Sequence, residues 1–203
     1  MSKPNQDPRE ERYAFPNFPI LTTERLILRE VVVDDAADLV TLRGDPEVQR
    51  YDEDAELIAD VAAAARLIEE MAAWYQSGEA ITWGVTLRGE GRVIGLFALY
   101  FWERRYYAGS IGYDLAKAYW RQGIATEAGC AVVACGFNTL HLHRINADAR
   151  MENTASIRLL TRLGFKHEGV RRECVLDPDG SWQNWGIFGI LESEYPVQLR
   201  DGP

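Results

Sequence analysis

Six consecutive residues, Arg121, Gln122, Gly123, Ile124, Ala125 and Thr126, stand where an expected strand gives way to an expected helix. A glycine at such a junction lets successive backbone N–H groups turn toward one anion, and the helix dipole adds partial positive charge there. Gly123 can take conformations other residues resist, Ala125 leaves room for a close ligand, and Thr126 brings a hydroxyl donor. A pyrophosphate would suit them. The spacing alone fits equally well a glycine that merely opens a helix beside a solvated Arg121. The second glycine of the dinucleotide-binding pattern and the Gly-Lys-Ser/Thr ending of a phosphate loop are absent, so nicotinamide and nucleoside-triphosphate readings fall.

The elements that would position this loop follow from period and punctuation. Leu26 to Leu28 with Val31 to Val33 predict a first strand, and Asp34-Asp35 starts a helix over Ala36 to Arg43 that Gly44 and Pro46 stop. Val61, Ala65, Ile68, Ala72 and Tyr75 recur at helical spacing, predicting a helix over Glu56 to Tyr75 that ends at Ser77-Gly78. Ile81, Trp83, Val85 and Leu87 alternate with Thr82, Gly84, Thr86 and Arg88, as in a strand with one buried face. Val93 to Trp102 and Ser110 to Leu115 continue an antiparallel meander. A helix over Gln122 to Phe137, a strand at Ile145 to Ala149, a helix over Asn153 to Leu163 and a hairpin at 166–176 and 181–191 complete the order. Residues 1–18, with Pro4, Pro8 and Pro16 and with Pro19 just after them, predict a flexible arm, and 19–203 a single domain.

The run from Tyr119 to Ala128 resembles the acetyl-CoA-binding motif of the GNAT superfamily of N-acetyltransferases, and within it the ribosomal-protein alanine acetyltransferases of the RimJ/RimL type. Leu21-Thr22-Thr23-Glu24-Arg25-Leu26-Ile27-Leu28-Arg29, Ile111-Gly112-Tyr113, Asn153-Thr154-Ala155-Ser156 and Leu163-Gly164-Phe165 extend the likeness over residues 20 to 192. It implies a mixed α/β fold, a mostly antiparallel twisted sheet splayed at the cofactor site and flanked by about four helices. It also implies acetyl-CoA as cosubstrate and an amine acceptor. Trp120 stands where the superfamily has Gln or Arg, Arg121 where the branch often has glycine, and Asn184 and Phe188 where it often has Asp and Tyr.

Acetyl transfer to an amine needs a neutral amine, a donor to the developing oxyanion, and a proton for the departing thiolate. The resemblance implies that main-chain groups of Tyr113 and Leu115 hold the pantetheine and polarise the thioester carbonyl. Ser156 is the expected acid, with Asn153 one turn earlier on the cofactor arm; by capping chemistry alone Asn153 is an N-cap and Ser156 a first-turn residue. Glu173 on the penultimate strand, facing the acceptor groove, is the expected base, its plain alternative being a surface partner for Arg171 or Arg172, and Asp114 and Glu103 are reserves. His141, His143 and His167 read as turn or surface residues. Trp74, Trp83, Trp102, Trp120, Trp182 and Trp185 are expected in core or groove walls, with Asp52, Glu53, Asp54 and Glu56 as an acidic rim or a solvated run before a helix.

Charge agrees with a cationic acceptor: 31 acidic against 22 basic residues give a net charge of -9, which disfavours nucleic-acid backbones. Cys130, Cys135 and Cys174 lack zinc-site spacing, so no metal is expected, and they read as buried or reduced thiols of a cytoplasmic chain. No apolar window spans a membrane and the first residues are polar, so neither secretion nor insertion is expected. The leading expectation is acetylation of a protein or peptide N-terminus by a monomer or homodimer. Its alternatives are acetylation of a small amine (amino sugar, antibiotic, polyamine) and a non-catalytic acyl-CoA-binding module.

Overall fold

The computed structural model describes residues 17–52, 57–103, 106–177 and 179–195, the stretch 101–103 by its backbone alone. The expected arm lies outside the described residues apart from Asn17 and Phe18, as do Glu53, Asp54 and Glu56 of the expected rim and the side chains of Trp102 and Glu103. Phe18 packs its ring 5.0 Å from that of Tyr75, and the Pro19 carbonyl accepts from the Trp83 indole N–H at 2.7 Å.

The chain runs β1 (Leu21–Thr22), β2 (Leu26–Glu30), α1 (Ala36–Arg43), α2 (Val61–Ser77), β3 (Ala80–Leu87), β4 (Val93–Glu103), β5 (Ala108–Leu115), α3 (Ile124–Ala134), β6 (Arg144–Arg150), α4 (Thr154–Arg162), β7 (Lys166–Leu176) and β8 (Trp182–Leu191). The expected helix over Ala36 to Arg43 is found at those residues. The second helix begins later than expected, because the Asp60 side chain caps it by accepting from the Ala63 N–H at 2.8 Å; Gly78, left-handed at φ 71°, ends it. The third stops at Ala134, where Cys135–Thr139 widen into a π turn.

Among the described residues the strands form one eight-stranded sheet in the order β1-β2-β3-β4-β5-β6-β8-β7, antiparallel except between β5 and β6. Strand β3 is buried on both faces rather than one, since helices cover each side of the sheet centre, and Thr86 meets this by donating its hydroxyl to the Ile27 carbonyl at 3.0 Å. On one face α1 and α2 pack Leu39, Leu42, Ala64, Ile68 and Met71 over Val31, Val93 and Leu96. On the other, α3 and α4 pack Ile124, Ala128, Val132, Leu159 and Leu160 over Trp83, Val85 and Phe97.

The parallel pair is short. Only Ala108, Gly109 and Ser110 match Arg144, Ile145 and Asn146, after which β5 runs on to Leu115 and β6 to Arg150 without pairing to each other. The sheet therefore opens between Ile111 and Leu115 on one side and Ala147 and Arg150 on the other. No helix among the described residues is long and apolar enough to cross a membrane.

Candidate active site

The opening is a cavity of about 590 Å³. Its walls include Ile111 to Asp114 of β5, Ala147 to Arg150 of β6, Asn153 and Ser156 at the start of α4, and Trp185 of β8. Because the Ala116 N–H binds the Ile94 carbonyl at 2.8 Å, the antiparallel register Leu96↔Asp114, Ala98↔Gly112 directs even-numbered β5 backbone groups into β4. The backbone groups of Ile111, Tyr113 and Leu115 consequently turn toward the opening. The Leu115 carbonyl is taken by the Trp120 indole N–H at 2.7 Å, which leaves the N–H as the group that Leu115 presents. Trp120 thus has a role that its departure from the superfamily pattern did not reveal.

Side chains on β5 alternate across the sheet. Tyr113 lies on the α3/α4 face, stacked on Phe97 with centroids 5.2 Å apart, and its hydroxyl shares a 2.8 Å hydrogen bond with the Ser156 hydroxyl. Burial pushes the Tyr113 phenol up to about 12, so both members of this pair stay protonated near neutral pH. Ser156 is held in place by its own backbone, whose N–H donates to Asn153 Oδ1 at 3.0 Å. Asn153 is therefore an N-cap and a cavity wall at once.

Asp114 lies on the other face, with Leu96 and the α1 end. Arg43 Nε sits 3.4 Å from Asp114 Oδ2, and Arg43 Nη2 donates to Asp52 at 2.8 Å and to Gln49 Oε1 at 3.1 Å. Burial pushes the Asp114 carboxyl above the ordinary range, the Arg43 charge opposes that, and Asp52 adds to it. Among the described residues, Asp52, Glu79 and Asp148 are the other acids of the cavity, and Tyr51, Trp74, Tyr100 and Trp185 line it with aromatic rings. Arg43 and Arg150, the arginines of the cavity among the described residues, are paired, Arg43 as above and Arg150 with Asp177. The lining is acidic and aromatic.

The loop before α3 is open to solvent at Arg121, Gln122 and Gly123. Gly123 has φ 79°, and a Cβ there would lie 3.3 Å from Arg25 Nη2. Arg121 adopts φ 60° without being glycine, the conformation its position asks of a glycine. The first bond of the helix runs from the Glu127 N–H to the Gly123 carbonyl at 3.0 Å, so the N–H groups of Ile124, Ala125 and Thr126 precede the helical ladder. The loop is fixed from behind: Arg25 Nη1 donates to the Gln122 carbonyl at 3.0 Å, and Glu127 receives the Arg25 N–H, Arg25 Nε and the Thr23 hydroxyl. Thr23 and Arg25, noted in the sequence as part of the resemblance, act as its clamp. These donors, a glycine-shaped approach and the exposed Arg121 fit a pyrophosphate.

Glu173 is not brought to this place. It is exposed on the outermost strand, at φ 49° within the irregular stretch between Arg171 and Val175, and it is absent from the cavity walls. Asn184 Oδ1 accepts its N–H at 2.8 Å, so the residue that departs from the family pattern steadies the bulge, while Phe188 is buried beside His167. His141, His143 and His167 are exposed and away from the cavity. Trp83 is core, Trp74 and Trp185 are cavity walls, and Trp74, Trp120 and Trp182 are exposed at 40%, 40% and 57%. Among the described residues all three cysteines are free and no cluster of metal-ligating side chains occurs.

Residues 25–166 match the model of the acetyltransferase (GNAT) domain. The chain belongs to the GNAT acetyltransferases. The "Uncharacterized N-acetyltransferase YoaA" of Bacillus subtilis (strain 168) is 37% identical over 175 residues, 86% of this chain and 98% of that protein. The "[Ribosomal protein uS5]-alanine N-acetyltransferase" of Escherichia coli (strain K12) is 29% identical over 182 residues, 86% of this chain and 92% of that one. Among solved structures, Mycobacterium smegmatis RimJ in complex with CoA-disulfide superposes with TM-score 0.76 at 25% identity, covering 86% of each chain. The GNAT family uses acetyl-CoA, and this chain is an acetyltransferase of that family.

Proposed function

We propose that this enzyme transfers the acetyl group of acetyl-CoA to the N-terminal α-amine of a protein or peptide. The observation that carries the reading is the opening between β5 and β6, with main-chain donors on one side, the Tyr113–Ser156 hydroxyl pair at its floor and an acidic cavity in front. Arg121, Gln122, Gly123, Ile124, Ala125 and Thr126 would hold the pyrophosphate, and the N–H groups of Tyr113 and Leu115 the pantetheine arm and thioester carbonyl. Acetyl-CoA supplies the activated acyl group. Ser156, bonded to Tyr113, delivers the proton that the leaving thiolate takes, and Asn153 keeps the start of α4 against the arm. An α-amine titrates near ~8, so little help is needed to free its lone pair. Four carboxylates and aromatic walls suit the positive amine.

A small amine is the second reading, favoured by the volume of about 590 Å³, which lies within the range of small-molecule sites. Release of free thiol from acetyl-CoA in the presence of peptides with free or blocked N-termini, amino sugars and polyamines separates the two. Turnover on free N-termini alone supports the α-amine reading, and turnover on small amines alone replaces it. Coenzyme A binding without turnover on any amine would make the chain a binding module.

A further inference from the structure

We infer that Asp114, rather than Glu173, is the group that receives the proton of the incoming ammonium, working from the face of the sheet opposite to Tyr113 and Ser156. This rests on the acetyl-transfer reading of the same cavity. Asp114 and Tyr113 are neighbours on β5, so the pleat sends their side chains to opposite faces at the point where the sheet has opened. The cavity reaches both faces there, touching Tyr113 and Ser156 on one and Asp114, Arg43 and Asp52 on the other. An acceptor approaching from the α1/α2 side meets Asp114 first and the thioester beyond it. A donor of protons and an acceptor of protons then stand on either side of one reacting carbonyl. Glu173, exposed on the edge strand, has no such access.

The step balances. The substrate enters as R–NH3⁺, one N–H proton passes to the Asp114 carboxylate, and the freed lone pair forms the C–N bond to the acetyl carbon. The C–S bond breaks with its electron pair on sulfur, which takes a proton from the Ser156 hydroxyl, and the amide nitrogen releases its second proton to replace it. Asp114 then returns its proton to solvent, so one proton is released per acetyl group transferred.

The charged and titratable groups around Asp114 are Arg43 from α1, Asp52 from the loop after it, Tyr100 from β4, Asp148 from β6 and Glu79 before β3. The plain alternative is an ion pair that only fastens α1 to β5. Asp114→Asn should lower kcat/KM for the amine by about 10²–10⁴-fold near neutral pH, with the deficit shrinking as pH rises and solvent frees the amine itself. Coenzyme A affinity, measured by titration calorimetry, should be unchanged, and Asp114→Glu should restore part of the rate. Arg43→Gln, which removes the counter-charge and keeps the carboxylate, should move the acid limb of kcat/KM to higher pH. Asp114→Asn with wild-type rate and pH profile would overturn the assignment, as would Arg43→Gln leaving the acid limb in place should Asp114→Asn fail to fold. Absence of wild-type turnover on every amine would instead overturn the acetyl-transfer reading itself.

Discussion

Glu127→Gln tests how the loop before α3, the proposed pyrophosphate site, is held. The carboxylate accepts from the Thr23 hydroxyl at 2.5 Å, the Arg25 N–H at 2.8 Å and Arg25 Nε at 2.6 Å. Burial pushes this carboxyl up, but the Thr23 and Arg25 bonds outweigh it and hold it below the ordinary range. Glutamine keeps one oxygen and sets an NH2 group against a donor. A hydrogen bond to a charged group contributes about 1.5–3 kcal/mol. Because the Arg25 side chain is 45% exposed, solvent screening places the loss at the low end, about 1.5–2 kcal/mol. At about 2–4 °C per kcal/mol for a chain of this size, Tm should fall by roughly 3–8 °C. A carboxyl whose folded pKa is depressed stabilises above its unfolded pKa, and that contribution disappears as pH falls through the folded value. The two proteins should therefore converge in stability as pH drops below about 4. With Arg25 released, the Gln122 carbonyl loses its anchor, and re-ordering one residue costs about 1–2 kcal/mol, or roughly 5–30-fold in coenzyme A affinity. Thermal melts and titration calorimetry read both. A lower Tm with unchanged coenzyme A affinity would refute the clamp.

Ser156→Ala should lower kcat by about 10²-fold while leaving KM for acetyl-CoA and the helix start intact, because Asn153 caps the Ser156 backbone and not its hydroxyl; steady-state kinetics check it. Arg121→Gly relieves a left-handed residue worth about 1–2 kcal/mol, less about 0.4–1 for the freer unfolded chain. Its Tm should hold or rise, while coenzyme A binding weakens and becomes less sensitive to salt. Glu173→Gln should retain wild-type rate across the pH range, and a lost acid limb in that variant would return the base to β7.

Local punctuation reports most of the fold. Asp34-Asp35 and Gly44 bound α1, and the glycine after Arg162-Leu163 ends α4, because caps and stops act within a turn of the residues that carry them. The shape of the loop before α3 was legible for the same reason: its strand, glycine and helix are adjacent in sequence. Glu173 was not. Its placement depends on a bulge between Arg171 and Val175, and an irregular register re-aims side chains in a way that no period in the sequence announces. The Tyr113–Ser156 pair joins residues 43 apart and the Thr23–Glu127 bond residues 104 apart, so neither exists until the sheet has formed. Burial of β3 on both faces likewise depends on which helices cover it, and alternation with threonine conceals that.

The most direct test of the central claim, that the opened strands and the loop before α3 hold the acetyl donor, is amide hydrogen exchange with and without coenzyme A. Exchange is predicted to slow at Tyr113, Leu115 and residues 122–126, while the β7 amides around Glu173 stay as they were. Unchanged exchange at both β5 and the loop, with protection appearing elsewhere, would contradict it.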